Sequence, residues 1–314
     1  MNTSLYLNGL KKAAKTMKGN EKIHLGIRPY ALHAGNILTI VTYPLLLCEE
    51  LEQNGKIAKF NFIVSINDWE QAALLGENIH KYNFDIKPDH TTLEFTNEKN
   101  GKKTVDYWEK VIQKKLKIVS SRYPNVKINT IRNSSLKDDK AMKHVILSTI
   151  KSQSEIKKIM LNSSGIQTNG SKSYLANAIC PNCKHANTNT KIDRNSTLIL
   201  SCDKCNRVVT GKYEDFSYWL HHKPMFAARW KIFDFTYSIS GGDHYLEGDH
   251  KTRKALFEYY FNKPAPKINM IFSPILIASD GQKMSKSRGN IYSVGLDEIL
   301  QIARKCEESE IRPI

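Results

Sequence analysis

A strand, a helix and a second strand follow one another between Lys22 and Asp68, and no other stretch restricts the fold so tightly. "KIHLGIR" has the short apolar character of a buried strand. A turn at Pro29 leads into helical periodicity from Ala34 to Asn54, closed by Asn54-Gly55, and "IAKFNFIVSIND" then reads as a β-branched strand. Strands joined through a helix run parallel with a right-handed crossover, and a parallel sheet needs cover on both faces. The expected class is therefore α/β, with a sheet that begins at Lys22.

The alternation continues downstream. A basic helix, "VDYWEKVIQKKLKIVSSRY", precedes the strand "VKINTIR", and a helical tract from Lys137 to Leu161 follows an Asn-Ser-Ser cap signal. Asn162 to Ser173 is rich in Gly, Ser and Asn and reads as a linker. Further on, "WKIFDFTYSIS" and "KINMIFSPILI" read as strands on either side of a helix from Asp249 to Phe261.

Between these halves lies a cysteine module. Cys180-Pro-Asn-Cys183 and Cys202-Asp-Lys-Cys205 present two knuckles, and "TLILS" between them suits a ribbon strand. Four thiolates close a tetrahedral zinc sphere and leave no position for a catalytic water, so the predicted site is structural. A pair of reactive dithiols and an iron centre are the alternatives, and His185 stands near enough to replace one sulfur. Cys48 falls in an apolar helical pattern and Cys306 in the tail. The expected organisation is a first α/β half over 1–173, a zinc ribbon over 174–214, a second half over 215–295 and a short tail over 296–314.

The chain has 314 residues, and its 47 Lys+Arg against 31 Asp+Glu give a formal charge of +16. Such an excess attracts polyanions, so nucleotides and nucleic acid are the first partners to consider; a lysine-covered surface is the plainer reading. The N-terminus carries no signal-peptide pattern and no stretch has the length of an apolar membrane span, so a cytoplasmic protein is expected.

Three short segments carry the chemistry. "HAGN", His33 to Asn36, stands at the turn between the first strand and its helix, where small residues admit a ligand's close approach and the helix start favours anions. "SGGDHYLEGDH" opens the backbone at Gly241 and Gly242 and places Asp243 to accept from ribose hydroxyls, with His244 beside it. "DGQKMSKSRGN" puts Lys283 and Lys286 into a loop of small residues, and an ammonium suits phosphates whose geometry changes during reaction. Each has an ordinary reading taken alone: a helix cap, a tight turn with a surface acid, a basic surface loop.

Taken in order, the three segments resemble the class I aminoacyl-tRNA synthetases, whose catalytic domain is a Rossmann fold; "KMSKS" matches their signature letter for letter. With "FIVSINDWE", the four cysteines and "AARW" at 227 to 230, the chain is most similar to the archaeal-type class I lysyl-tRNA synthetases. The resemblance runs from about residue 22 to 295. It implies a Rossmann-type parallel sheet with an inserted zinc-ribbon module, and ATP-dependent formation of an aminoacyl-adenylate from lysine or an analogue, with tRNA as the default acceptor. It also implies ATP with Mg2+ and a structural Zn2+. His33 and Asn36 would contact phosphates with Gly35 beside them, Gly242, Asp243 and His244 would hold adenosine, Met284 and Ser285 would belong to the ATP site, and Lys283 and Lys286 would neutralise pyrophosphate.

The chain departs from the family at three places. "RPYALH" is one residue shorter than the family's approach to the signature His and lacks its Gly, which brings Arg28 and Tyr30 towards the substrate entrance. "HHKPMFAARW" carries His222 and Phe226 where the family has tryptophans, and both join the substrate-pocket candidates. Only 24 residues follow Asn290, too few for the family's anticodon-binding domain. Either a separate protein supplies tRNA recognition, or the acceptor end alone is read, or the acyl group goes elsewhere. A non-catalytic descendant that binds RNA or regulates another protein is the reading from a different class.

Overall fold

The structure, a computed structural model, describes residues 4–7, 9–29, 32–69, 84–85, 96–97, 103–164, 174–186, 188–246, 248–277, 281 and 295–308. In chain order, β1 (Ser4–Leu7) and α1 (Leu10–Thr16) precede β2 (Lys22–Ile27). One continuous helical run follows: α2 (Ala34–Ile37), a π-helical turn over Leu38–Thr42, and α3 (Tyr43–Gln53). Next come β3 (Asn61–Ile66), the short pair β4 (Phe84–Asp85) and β5 (Thr96–Asn97), α4 (Thr104–Arg122), β6 (Lys127–Arg132), α5 (Lys140–Lys151) and α6 (Gln153–Ser164). The cysteine region contributes β7 (Ala176–Ala178), β8 (Asn189–Ile192), β9 (Leu198–Cys202), β10 (Arg207–Gly211) and β11 (Tyr218–Leu220). The chain then forms α7 (His222–Phe233), β12 (Tyr237–Gly241), α8 (Asp243–Leu246), α9 (Asp249–Phe261), β13 (Asn269–Ser273) and α10 (Leu296–Glu308).

Six parallel strands form the central sheet in the order β1-β13-β12-β2-β3-β6. From β2 the chain winds one way through β3 and β6 and later the other way through β12 and β13. A crevice therefore opens between the carboxyl ends of β2 and β12, where such sheets bind ligands. Strands β2 and β12 are in register from Tyr237 opposite Ile23 to Ile239 opposite Leu25.

The two faces of the sheet differ in chemistry. Ile23, Leu25, Phe62, Val64, Ile66, Tyr237 and Ile239 pack beneath α1, α3, α4 and α10 in one apolar layer. On the other face β2 turns His24 between two hydroxyls, Ser65 Oγ at 3.1 Å and Ser238 Oγ at 3.3 Å. His24 stacks on Phe235 and meets Phe226 edge-on. The α5, α6, α7 and α9 helices and the cysteine region complete that second layer.

Several sequence expectations are corrected. The sheet does not begin at Lys22, because β1 adds to its edge in parallel with β13; four residues carry too little pattern to announce a strand. "WKIF" closes α7, which stops at Asp234 in the left-handed conformation (φ 50°), so the strand is Tyr237–Gly241 alone. The tract from Lys137 to Leu161 is two helices split at Ser152, and its cap is Asp139, which accepts from the Ala141 and Met142 amides. Asn162 to Ser164 end α6, while the rest of the expected linker lies outside the described residues. The run from Ala34 to Gln53 is helical as expected but contains a π turn, in which the Tyr43 N–H bonds Leu38 O. Pro44 follows directly and has no N–H for Ile40, so the register slips at the residue before it. Among the described residues, no helix is long and apolar enough to cross a membrane.

Candidate active site

The crevice at the carboxyl edge brings together segments far apart in sequence. His33 caps α2, its Nδ1 accepting from the Gly35 amide at 3.0 Å, while Asn36 Oδ1 accepts from the His33 amide at 3.5 Å. Thr39, in the π turn, donates to Gly35 O and lies 3.3 Å from Ser273 Oγ at the end of β13. Ser273 also closes on the second motif: a Cβ on Gly242 would stand 2.7 Å from its carbonyl oxygen and 3.2 Å from Ile275 Cγ1. Only glycine fits there. Beyond β13 the chain passes Ile277, and Gly295 leads into α10, which packs against α2 and the π turn. Ser273 thus joins the "HAGN" helix, the "GGDH" turn and the strand leading towards "KMSKS".

Beside this junction lies a charged cluster that sequence reading did not find. Asp249, fully buried at the start of α9, receives Lys223 Nζ at 2.9 Å, His244 Nδ1 at 2.7 Å and Arg253 Nη2 at 3.4 Å, with His222 Nε2 at 3.8 Å. Burial alone would raise its pKa, but the neighbouring His222, the hydrogen bond with His244 and the Arg253 charge hold it far below the usual carboxylate range. Burial pushes His222 the other way, down to about 4. Arg253 lies over the Phe226 ring at 4.2 Å and reaches Ser240 Oγ at 3.4 Å. Arg229 approaches the same ring at 5.9 Å and contacts Asn133 Oδ1 at 3.4 Å. Its pKa is lowered to about 9 by burial first and then by Arg253.

The cysteines form a third group. Cys180 and Cys205 sulfurs are 3.7 Å apart, those of Cys183 and Cys202 are 3.6 Å apart, and all four lie within 4.8 Å of one another. Four sulfurs at ~2.3 Å from one ion in a tetrahedron stand ~3.8 Å apart, so the cluster fits a metal of that size. "TLILS" does supply the ribbon strand, β9, between β8 and β10. His185 is buried near the first knuckle, where its carbonyl accepts from the Cys180 amide.

Of the residues singled out from sequence, His33, Gly35, Asn36, Gly242, Asp243 and His244 meet at the carboxyl edge. Arg28 is exposed just beyond β2, and its charge acts on His221 and His222. Phe226 and His222 line the charged cluster. Tyr30, Lys283, Met284, Ser285 and Lys286 lie outside the described residues. The missed residues, Lys223, Arg229, Asp249 and Arg253, look in sequence like ordinary helix-surface charges. The one signal was their spacing, Asp249 and Arg253 four apart and Arg229 set within apolar "FAARW".

A sheet wound both ways from β2, with "HAGN" and "GGDH" at its switch point, is the frame of a nucleotide-binding ligase core. The chain belongs to the class I tRNA synthetases: the family model described as tRNA synthetases class I (K) matches residues 10–307. One relative, lysine–tRNA ligase of Methanosphaera stadtmanae, is 34% identical over 122 residues, 37% of this chain and 22% of that protein. Among solved structures, tyrosyl-tRNA synthetase from Archaeoglobus fulgidus, complexed with L-tyrosine, aligns at a TM-score of 0.43 and 16% identity, over 90% of this chain and 63% of that one. Tryptophanyl-tRNA synthetase from Campylobacter jejuni aligns at 0.33 and 10% identity, over 94% and 69%.

Proposed function

We propose that this chain activates an amino acid with ATP. A carboxylate oxygen of the amino acid attacks the α-phosphorus, the bond to the bridging oxygen of the β-phosphate breaks, and pyrophosphate leaves with that electron pair. The aminoacyl-adenylate remains bound. The observation that carries this reading is the Ser273 junction, which holds the "HAGN" and "GGDH" segments together at one end of one crevice, on the strand that precedes "KMSKS" in sequence.

His33 and Asn36 are assigned to the ATP phosphates, with Gly35 allowing their approach. Gly242, Asp243 and His244 are assigned to adenosine, His244 being oriented by its bond to Asp249. From the motif alone, Lys283 and Lys286, flanking Met284 and Ser285, neutralise the departing pyrophosphate. Bound Mg2+ supplies further charge neutralisation on the triphosphate. Little covalent work falls to the protein, whose part is alignment and charge stabilisation. Cys180, Cys183, Cys202 and Cys205 are assigned to one Zn2+ in a structural role, which their sulfur spacing supports. The acyl acceptor is assigned to the 3′ end of a tRNA, since α4 turns Lys110, Lys114, Lys115 and Lys117 to solvent. The resemblance and the partial relative favour lysine as the amino acid. Among the described residues the buried carboxylate of the site, Asp249, is held by Lys223, His244 and Arg253.

The test is amino-acid-dependent exchange of labelled pyrophosphate into ATP, run with every amino acid in turn. Exchange with one of them is expected. Exchange with none sinks the reading in favour of a nucleic-acid-binding descendant. Adding total tRNA and assaying aminoacyl-tRNA separates a tRNA acceptor from a small-molecule or protein acceptor. Lys286→Ala should lower turnover by roughly 100-fold or more while the KM for ATP changes little, because its contact strengthens only as charge develops.

A further inference from the structure

We infer that the outer face of α4 is a platform for an unpaired RNA end: Tyr107 stacks on a base, and Lys110, Lys114 and Lys117 take phosphates of the strand behind it. The inference deepens the acceptor reading and rests on it for the direction in which the strand enters.

The helix is divided around its axis. Val105, Ile112, Leu116 and Val119 are buried on one side. Tyr107, Lys110, Lys114 and Lys117, spaced three, four and three apart, share the opposite side, and all four are exposed. Tyr107 is 58% exposed, and among the described side chains no other Phe, Tyr or Trp is classed with it as exposed. Its ring meets that of Trp108 edge-on with centroids 5.3 Å apart, a contact that steadies its orientation. Lysines alone make an ordinary solvated face. A flat apolar ring in line with them adds the second feature that a nucleic-acid strand requires, since such a strand presents both phosphates and bases.

The two acids of α4 are engaged elsewhere. Arg132, the last residue of β6, donates to Asp106 Oδ1 at 2.7 Å and to Glu109 Oε2 at 3.0 Å. The same contacts orient the helix. β6 runs parallel to β3 and β3 to β2, so Arg132 marks the carboxyl edge of the sheet, and the first turns of α4 stand at the edge where the crevice opens. The far end of α4 returns to the amino edge, where the Lys127 amide donates to Phe60 O. Tyr107 therefore stands nearest the crevice, and the lysines recede from it over about 15 Å. One strand separates β6 from β2, which sets them about 10 Å apart. Bases within a duplex are stacked on one another, whereas an unpaired nucleotide offers a free face to an aromatic ring. The geometry fits a paired stem whose phosphates lie along the lysines and whose unpaired end passes Tyr107 towards the crevice.

The experiment is fluorescence anisotropy of the full chain at one fixed salt concentration with three labelled RNA hairpins: one blunt, one with a short unpaired 3′ overhang and one with the same overhang at the 5′ end. The 3′ overhang should bind more tightly than the blunt stem. Tyr107→Ala should weaken the overhang at least roughly 5-fold, the lower end for a base stacked on an aromatic ring, and leave the blunt stem unchanged. Tyr107→Trp, which keeps a flat ring, should retain the affinity. A 2-aminopurine in the overhang should be quenched on binding to the unmodified chain and not to Tyr107→Ala. A Tyr107→Ala protein that binds overhang and blunt stem as the unmodified chain does, or loses both alike, overturns the platform. An equal gain from the 5′ overhang, abolished by Tyr107→Ala, keeps the platform and overturns the acceptor reading. Pyrophosphate exchange by the unmodified chain with no preference for either overhang does the reverse, removing the platform and leaving activation standing.

Discussion

His24 is a titratable group placed where a sheet of this kind ordinarily has an aliphatic residue. It is 2% exposed, and burial first, then the charges of Arg229 and Arg253, hold its pKa well below the ordinary value. It therefore stays neutral when folded and takes a proton on unfolding. The unfolded chain binds more protons as pH falls through about 6.5, so stability present above that pH is lost below it. One such histidine costs about 1.4 kcal/mol between pH 7.5 and 5.5. His24→Gln keeps a hydrogen-bonding amide between Ser65 and Ser238 without titrating, and urea unfolding at the two pH values should show a loss smaller by about that amount. An unchanged pH slope would remove His24 from the account. The same residue marks the limit of sequence reading. "HAGN" and "GGDH" stood out because their residue types suit phosphate and ribose, and the fold brings the two segments to one edge of the sheet. The charges on α7 and α9 did not, since Lys, Arg and Asp in a helix read as a solvated face until the packing shows them buried.

At the scale of elements, periodicity served well where one face alone is apolar. The helix Asp249–Phe261 was legible, and "TLILS" fell within one residue of the β9 ribbon strand, which runs on to Cys202 of the second knuckle. It failed where a helix is buried nearly all round. Every residue of α7 from Lys223 to Trp230 is buried, so no polar stripe announces the helix and "WKIF" passes for a strand. The cap before α5 misled for a related reason: Ser134 satisfies Asp68 across the fold, leaving Asp139 to hold the helix start. The ribbon packs Leu198, Leu200, Tyr213 and Phe216 into the layer that contains α5 and α7. Loss of the metal proposed for it should therefore weaken the layer. Chelation at neutral pH is expected to lower the unfolding temperature by on the order of 10 °C, and Cys202→Ser should bind less than one zinc per chain and lose that response. A chelator-insensitive protein with no bound metal would refute the assignment.

For the whole molecule, strand, helix and strand announced the parallel sheet, but nothing short of three dimensions announced which strands share the crevice. The formal charge of +16 likewise becomes informative once placed. The α4 helix shows four lysines to solvent along Lys110 to Lys117 while Ile112 and Leu116 face the core. If that face meets tRNA phosphates, the logarithm of affinity should fall with the logarithm of salt at a slope of about −3 to −4. Lys114→Glu with Lys115→Glu should reduce the slope by roughly 1 to 2. A slope the double variant leaves intact would place the RNA elsewhere.

The contact between Thr39 and Ser273 spans 234 positions, and that between His24 and Ser238 spans 214. During synthesis β2 acquires β3 early, but its other neighbour must wait for β12. At ribosomal speed that interval is on the order of ten seconds or longer, during which one edge of the innermost strand lacks its native mate. The nascent polypeptide thus carries half a crevice until its last quarter emerges, and is most exposed to mispairing and aggregation along the very strand that ends beside the site.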